Sequence, residues 1–299
     1  MHAWNSITRQ INDSLLYLLV PGLSVLLPSA WSRALLARLS QCKWLLAASS
    51  DVAWGMATKF GTGKSVGPDN ESEWKVRWKQ SELLDVRDLY LMTFGRTKSV
   101  LAEIDYELPI ESAKDKVMIG MHWGPSISIL KMLAVAGHTP AFLYRQPQRR
   151  MLLRRPFYYL FLRLASRYLV KTMRDRAIEV GGASSKLNAL LDRSGSVVVL
   201  MDAPPMMGRP KCNIPLQNRD AVFNTGFPTI LAEKRKEYMF YALSLHPDGS
   251  LRKKLELQGP FSSDNSQTFL QNYGGFLDRH LSSDSAQWRI WHAAEQFWA

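Results

Sequence analysis

The sequence is poor in cysteine and in acidic residues. Its two cysteines are Cys42 and Cys212, and neither stands in a CxxC pair or in a Cys/His spacing that binds zinc. Two isolated cysteines exclude a disulfide framework and a structural zinc site. Asp and Glu number 26 against 38 Lys and Arg, so the formal net charge is +12. This excess favours an anionic partner: a nucleic acid, an anionic lipid surface, or a phosphorylated or acidic substrate.

The chain also lacks a hydrophobic run long enough for a membrane-spanning helix, which needs about 18 or more apolar residues. The nearest stretch, 15–31, is interrupted by Pro21 and Pro28 and lacks the positive cluster and cleavage site of a signal peptide. Two interpretations are open, an apolar hairpin or interfacial anchor and a buried N-terminal helical layer. Trp4 and Trp31 flank the run, and tryptophan concentrates at lipid–water interfaces, which favours the anchor.

The rest of the composition is that of a globular protein with a substantial core. Of the 299 residues, 46% are hydrophobic and 21% are charged, which excludes wholesale disorder. A Gly/Ser/Asp-rich loop at 61–73 divides the chain. We therefore predict an N-terminal apolar anchor and helical layer at 1–73 and an α/β domain at 74–299.

Beyond residue 109, apolar runs alternate with segments of helical spacing. The predicted strands are 116–121, 139–144, 196–201 and 238–245, and the predicted helices are 127–136, 152–169 and 184–191, after helical segments at 33–60 and 74–100. Strands that alternate with helices predict an α/β fold, with a central mixed sheet and helices on both faces.

Three predicted strands end in polar residues, and ligands of open α/β sheets gather at such carboxyl ends. His122 follows the first strand, Tyr144 and Arg145 end the second, and Asp202 follows the third. A histidine at a strand-to-helix turn is a candidate general base, and the alternative is a hydrogen-bonded turn histidine. Asp202 is either a turn former or a carboxylate paired with a cation or donor, because an unpaired buried carboxylate is costly.

The largest concentration of charge lies at 145–176. Nine arginines and one lysine stand there against one acid, Asp175, which gives a net +9, and aromatic and apolar residues are interleaved with them. The planar guanidinium suits phosphate and carboxylate oxygens. No helix-turn-helix, RNP or zinc pattern accompanies the segment, so we predict an anionic membrane surface rather than nucleic acid as the partner, with a solvated basic face as the alternative. Candidate substrate contacts are Arg145, Arg149, Arg163 and Arg167.

The order of these features resembles one protein family. The residues that carry the resemblance are His122-Trp123-Gly124, Tyr144-Arg145-Gln146-Pro147, the arginine-bearing helix, the run 195–202, Gly208, Ile214-Pro215-Leu216, Asn224-Thr225-Gly226 and the segment 287–292. From about residue 75 onward, the sequence is similar to the bacterial lipid A biosynthesis (late, lauroyl/myristoyl-type) acyltransferases, a branch of the glycerolipid acyltransferase-like proteins.

The resemblance implies an α/β core at the cytoplasmic face of the bacterial inner membrane. It implies transfer of an acyl chain from acyl carrier protein or acyl-CoA to a lipid hydroxyl, without a cofactor. In the family a histidine deprotonates the acceptor hydroxyl, and an acid five positions later orients that histidine. An arginine on the helix after the second strand also contributes. Three arginines here are candidates for that role: Arg163, Arg167 and Arg174. We expect no metal, because this transfer needs a base and an oxyanion donor rather than a Lewis acid.

The sequence departs from the family at the acid. Five positions after His122 stands Ile127, which can neither orient an imidazole nor stabilise its cation. Three explanations are open. In the first, Asp202 has taken over as the orienting acid. In the second, His122 works unaided, or with a serine such as Ser126 or a backbone carbonyl, at a rate lower by about 10²–10⁴-fold. In the third, the chain has lost the reaction and is a lipid-binding or assembly subunit. The retained motifs favour the enzyme.

The resemblance predicts the chemical class of the acceptor but not its identity. A lipid A precursor is the acceptor that the family implies. The missing acid also fits a phenolic or other aromatic hydroxyl, because a phenol has a pKa near 10 and needs less help from a base than an alkyl hydroxyl.

Overall fold

The computed structural model describes residues 10–61, 70–138, 140–179, 183–192, 197–205, 207–262 and 264–298. Several residues that the sequence analysis uses lie outside these ranges: Trp4, most of the 61–73 loop, and positions 139, 195 and 196. The statements below concern the described residues.

The N-terminal segment folds into helices that pack on one long helix. They are a π-helical turn at Leu15–Leu19, α1 (Val20–Leu26), α2 (Ser29–Ser40) and α3 (Ala47–Phe60), followed by the long α4 (Glu71–Thr93). Helix α1 ends because Leu27 precedes Pro28 and is extended. Helices α1, α2 and α3 each contact α4; buried side chains of α1 and α2 share one apolar cluster with it, and those of α3 share another with Trp74 and Trp78 of α4. The segment is a packed helical layer, yet Leu26 and Trp31 stay 81% and 70% exposed.

The core of the protein is a mixed seven-stranded sheet, so the predicted α/β class with a mixed sheet is confirmed. The strands are β1 (Ile104–Tyr106), β2 (Val117–Gly120), β3 (Ala141–Tyr144), β4 (Ala177–Glu179), β5 (Val197–Leu200), β8 (Tyr238–Leu245) and β9 (Lys253–Phe261), in the order β1-β9-β8-β2-β5-β3-β4. The five strands from β8 to β4 run parallel, β9 is antiparallel to β8, and β1 is parallel to β9.

A separate hairpin, β6 (Lys211–Leu216) and β7 (Arg219–Asn224), lies outside this sheet. Its two-residue turn places Gln217 and Asn218 in the left-handed region, with φ of 53° and 59°. Hairpins of this length usually carry glycine in the turn. The sequence therefore gives no hairpin signal here, and it gives none for the three-residue strands β1 and β4.

Helices cover both faces of the main sheet. They are α5 (Thr97–Leu101), α6 (Ser128–Val135), α7 (Arg150–Arg154), α8 (Pro156–Met173), α9 (Ala183–Asp192), α10 (Gly226–Glu233) and α11 (Ser266–Asp284), with 3₁₀ turns at Ile110–Ala113, Arg174–Arg176, Ser285–Gln287 and Trp291–Gln296. Along β2, Val117 and Ile119 pack in the cluster that contains residues of α9, α10 and α11, whereas Met118 packs with residues of α6. This alternation is the two-residue period of a strand buried on both faces.

Two predicted helices are each broken into two. The helix expected at 152–169 is divided between α7 and α8, because Arg155 precedes Pro156 and leaves the helical conformation. The helical segment expected at 74–100 is divided between α4 and α5 at Gly95, whose φ of +84° is the left-handed cap that ends many helices. The first break decides where Arg155 points, as described below.

A buried ionic cluster joins the helical layer to the sheet. The side chains of Arg87, Asp88 and Lys253 are fully buried and that of Glu103 is 4% exposed. Arg87 donates from Nη1 and Nη2 to the two carboxylate oxygens of Glu103, at 2.7 and 2.8 Å, and Lys253 Nζ donates to Asp88. Arg87 Nε donates to Ser32 Oγ of α2. Helices α2 and α4 are thereby tied to β9 and to the residue before β1.

Candidate active site

Two adjacent parallel strands bring His122 and Asp202 together. Strands β2 and β5 are neighbours, and Gly120 stands opposite Leu200 in their register. His122 and Asp202 each follow two residues beyond that pair, so both lie at the carboxyl edge of the sheet. His122 Nδ1 is 2.8 Å from Asp202 Oδ1. The structure thus places the two sequence-predicted residues in direct contact.

The carboxylate of Asp202 is fully buried and has a hydrogen-bond donor on each side. Its Oδ2 accepts from the backbone N–H of His122 at 2.7 Å and from Trp288 Nε1 at 2.8 Å, while Oδ1 faces His122 Nδ1. An ionised carboxylate only accepts hydrogen bonds, so Nδ1 carries the proton and donates. In a neutral imidazole with this tautomer, Nε2 is the nitrogen that accepts a proton. Because the His122 side chain is 38% exposed, this nitrogen can receive a proton from a bound molecule.

The C-terminal segment fixes the backbone of His122. The backbone N–H of Gly124 donates to the carbonyl of Gln287 at 2.8 Å, and that of Arg289 donates to the carbonyl of His122 at 2.8 Å. Gly124 has a φ of +52°, and a Cβ there would lie 2.1 Å from the carbonyl oxygen of Leu243, so the turn requires glycine. Trp288 lies between these anchors. The sequence offers no pattern that pairs this indole with a carboxylate 86 positions earlier.

His122 lies on the wall of a cavity of about 1000 Å³. The described residues that line it come from the N-terminal helical layer, α4, the turn after β2, the start of α8 with the residue before it, and the C-terminal segment: Asn12, Asp13, Tyr17, Leu46, Ala48, Ser49, Val52, Ala53, Trp78, Glu82, His122, Arg155, Tyr158, Arg289, Ile290 and His292. The wall mixes aromatic and aliphatic side chains with a few charged ones, which is the usual character of a small-molecule site.

The two lining arginines are already paired with carboxylates. Arg155 donates from Nε and Nη2 to Asp13 at 2.8 and 2.7 Å, and Asp13 raises the pKa of its guanidinium. Arg289 donates to Glu82 at 2.7 and 3.1 Å and to Asp85 at 2.5 Å. Burial alone would lower the pKa of Arg289, but Asp85 and Glu82 outweigh it and hold the pKa well above its ordinary value. The positive charge of each lining arginine is therefore neutralised by a neighbouring carboxylate.

Position 127, where the resembled family has its acid, is an apolar contact. Ile127 is partly buried and packs against the cluster of the helical layer, and its backbone N–H donates to Asp85 Oδ1 at 3.0 Å. The acids closest to this turn, Asp85 and Glu82 of α4, bind Arg289 instead. Asp202 is the carboxylate that contacts the imidazole.

We expect Ile127→Glu to destabilise the protein and not to raise its activity. The new carboxylate would enter an apolar contact beside Asp85, and His122 Nδ1 already faces Asp202. Thermal unfolding should show a loss of about 1–3 kcal/mol, the usual cost of a poorly paired buried polar group. The matched control Ile127→Gln has the same shape without the charge and should lose less. A variant that is stable and clearly more active would show that position 127 faces the imidazole in a polar cleft.

The arginines that the sequence analysis selected do not lie in this cavity. Arg145, Arg149 and Arg167 are exposed and Arg163 is half-buried, and none of the four is among the described residues of the wall. Ser126 does not line it either; its backbone N–H donates to the carbonyl of Gly124. Their roles as substrate contacts stay predictions. Arg155, Arg289 and the acids of α4 are lining or supporting residues that the sequence analysis missed, because the pairs Arg155–Asp13 and Arg289–Glu82 form only in the fold.

Within the described ranges, no group of three or more His, Cys, Asp or Glu side chains is arranged to hold a metal ion. Comparison with protein-family models and with curated protein sequences finds no match to this chain.

Proposed function

We propose that the protein is a membrane-associated acyltransferase with a glycerolipid acyltransferase-like fold. It moves a fatty or other acyl chain from acyl carrier protein or acyl-CoA to a hydroxyl of a lipid or lipid-like acceptor, and His122 is the general base. The observation that carries the proposal is the 2.8 Å contact between His122 Nδ1 and the buried Asp202, beside a cavity of about 1000 Å³.

The proposed reaction uses both nitrogens of the imidazole. Nε2 accepts the proton of the acceptor hydroxyl while its oxygen attacks the thioester carbonyl. The tetrahedral intermediate collapses, the carbon–sulfur bond breaks, and the imidazolium returns the proton to the leaving thiolate. Asp202 keeps Nδ1 protonated throughout and stabilises the imidazolium, as an aspartate does beside a catalytic histidine. The products are an ester and a free thiol.

The alternative of a lipid-binding or assembly subunit is less well supported. A protein that had lost the reaction would not need a carboxylate next to His122, and the imidazole would be free to pack against Trp123 and the following helix. Instead Asp202 is buried and holds both the side chain and the backbone N–H of His122. A buried carboxylate is costly to maintain, so the full set of hydrogen bonds between Asp202 and His122 supports a catalytic role for the pair.

Two packed segments support association with the cytoplasmic face of the bacterial inner membrane. Tyr17 stacks on Phe161 at 4.9 Å, so the N-terminal helices and the arginine-bearing α8 lie side by side. Both regions expose large apolar side chains, with Leu26 81% and Leu160 of α8 57% exposed. Interleaved apolar and basic residues suit an anionic lipid interface. No helix in the described part of the chain has the length and apolar character needed to cross a membrane.

Mass spectrometry of lipid extracts from a deletion strain tests the proposed function and its acceptor together. We expect one acylated species to disappear and its hydroxyl precursor to accumulate. Under-acylated lipid A would identify the acceptor that the resemblance implies, and intact lipid A with another ester missing would identify a changed acceptor, such as an aromatic hydroxyl. An unchanged set of acylated lipids would contradict the proposal.

A further inference from the structure

The charged side chains in the wall of the His122 cavity are already paired with one another. Among the described wall residues they are two arginines, Arg155 and Arg289, and two acids, Asp13 and Glu82. The side chains of Asp13 and Glu82 are only 5% and 15% exposed. Salt screens buried and partly buried ion pairs much less than exposed ones. A molecule that enters the cavity therefore meets arginines that already have an anionic partner.

The N–H groups of the two arginines are largely occupied. Every guanidinium nitrogen of Arg289 donates to a carboxylate, Nε and Nη2 to Glu82 and Nη1 to Asp85. Arg155 donates from Nε and Nη2 to Asp13. A phosphate or carboxylate binds best to a pair of parallel guanidinium N–H groups. To obtain such a pair here, an anion would have to displace an acid from Arg289 or lie beside the carboxylate of Asp13.

Two further carboxylates lie directly behind the wall. Asp85 pairs with Arg289, which already has an acid partner in the wall. Asp202 is fully buried and contacts His122. Together with the two acids of the wall, four carboxylates stand against two guanidinium groups. This excess of negative charge stabilises the imidazolium that forms during acyl transfer, and it repels a bound anion.

We propose that the acceptor is uncharged in the part that enters this cavity, so that its hydroxyl reaches His122 with no phosphate or carboxylate group close by. The inference rests on the proposed function, in which His122 takes the proton of the acceptor hydroxyl. The apolar wall residues Leu46, Val52 and Ile290 suit a hydrocarbon portion next to that hydroxyl. An alcohol on an acyl chain, a neutral glycerolipid or a phenol meets these requirements, whereas a hydroxyl beside a phosphate does not.

Two small acceptors that differ only in a phosphate test the inference, 1-hexanoylglycerol and 1-hexanoylglycerol 3-phosphate. Each is titrated into protein labelled with ¹³C in its histidine rings, and the NMR signal of His122 is identified by its absence from His122→Ala. This signal reports binding beside His122, whereas total binding would include anions drawn to the net charge of +12. We expect 1-hexanoylglycerol to bind at least about 10-fold more tightly, because like charges brought together in a binding site are strongly disfavoured. Equal affinities, tighter binding of the phosphate, or no shift from either compound would overturn the proposal.

Asp13→Asn tests whether the paired arginines set this selectivity. The amide removes the negative charge beside Arg155, so we expect the preference for the neutral compound to fall about 10-fold, the effect of one charge-assisted hydrogen bond. Asp105→Asn is the matched control, because Asp105 likewise accepts from Nε and Nη2 of an arginine, Arg252, but is absent from the cavity wall. The control should keep the full preference. An equal loss in both variants would mean that net charge sets the selectivity, which would contradict the proposal.

Glu82→Gln is a second variant with the same purpose, in case the nearly buried Asp13 is needed for folding. Arg289 keeps Asp85 in this variant, so we expect a smaller fall in the same direction. An unchanged preference in every folded variant of Asp13 and Glu82 would show that the paired arginines do not exclude the phosphate, and would refute the inference.

The titration does not depend on turnover, so its failure is distinct from that of the proposed function. A wild type that has the preference but transfers no acyl chain to the lipids of the deletion strain would refute the proposed function and leave the selectivity in place. Equal rates of transfer to 1-hexanoylglycerol and to its 3-phosphate would support the proposed function and overturn this inference.

Discussion

Asp202→Asn lowers the rate of acyl transfer by about 10²–10⁴-fold, the range for loss of general base catalysis, and leaves the fold intact. Asparagine has the shape of aspartate, and its amide oxygen can take the place of Oδ2, which accepts from the backbone N–H of His122 and from Trp288. The amide NH₂ then faces His122 Nδ1. Because an NH₂ group donates, Nδ1 must become the acceptor, and the proton moves to Nε2, which can no longer act as the base.

The measurement is turnover of a purified variant beside its unfolding midpoint. Asp278→Asn is the matched control, since Asp278 is another hydrogen-bonded aspartate, bound to Gln217 and absent from the cavity wall. It should transfer acyl chains at the wild-type rate. Wild-type turnover in Asp202→Asn would show that Asp202 does not set the tautomer of His122.

Glu103→Gln destabilises the protein by about 3–5 kcal/mol, the cost of breaking a buried ion pair from one side. Arg87 is fully buried and directs two N–H groups at Glu103, so the neutral amide leaves a buried guanidinium with less compensation. Burial alone would raise the pKa of Glu103, but Arg87 outweighs it and holds the pKa below its ordinary value, as expected for an ionised partner.

Asp105→Asn provides the control for this loss. Asp105 lies two residues further along the chain and pairs with Arg252, but its side chain is 47% exposed. Exposed ion pairs contribute about 0–1 kcal/mol, so chemical denaturation should separate the two variants clearly. Equal, small losses in both would mean that the buried cluster does not hold the helical layer to the sheet.

The sequence predicts the positions of the two central site residues but not their contact. The apolar runs before His122 and Asp202 identify two strand ends, and β2 and β5 form there. That β5 lies next to β2, with Gly120 opposite Leu200, depends on a crossover that periodicity does not reveal. The rule that ligands gather at strand ends made the pairing a reasonable expectation. The third partner of the carboxylate, Trp288, lies in the segment 287–292 that carries part of the resemblance, but nothing in the sequence pairs its indole with Asp202.

The arginines of the segment 145–176 show a second limit of prediction from the sequence. Their number and interleaving identify a basic segment, but the helical pattern continues across Pro156 and does not single out Arg155. The restriction that proline places on the residue before it turns this arginine inward, where Asp13 of the N-terminal layer binds it. A break in the backbone and a carboxylate distant in the chain thus decide which arginine reaches the cavity. The composition of the segment predicts neither of them.

Acyl transfer by the purified protein, with and without the imidazole of His122, tests the central claim most directly. The assay combines a labelled acyl thioester donor with lipid vesicles that contain the extract of the deletion strain as acceptor. We predict that the wild type forms a labelled ester and that His122→Ala forms it about 10²–10⁴-fold more slowly, with an unchanged unfolding midpoint. Equal rates for the two proteins, or no labelled ester from the wild type, would contradict the assignment of His122 as the base of an acyltransferase.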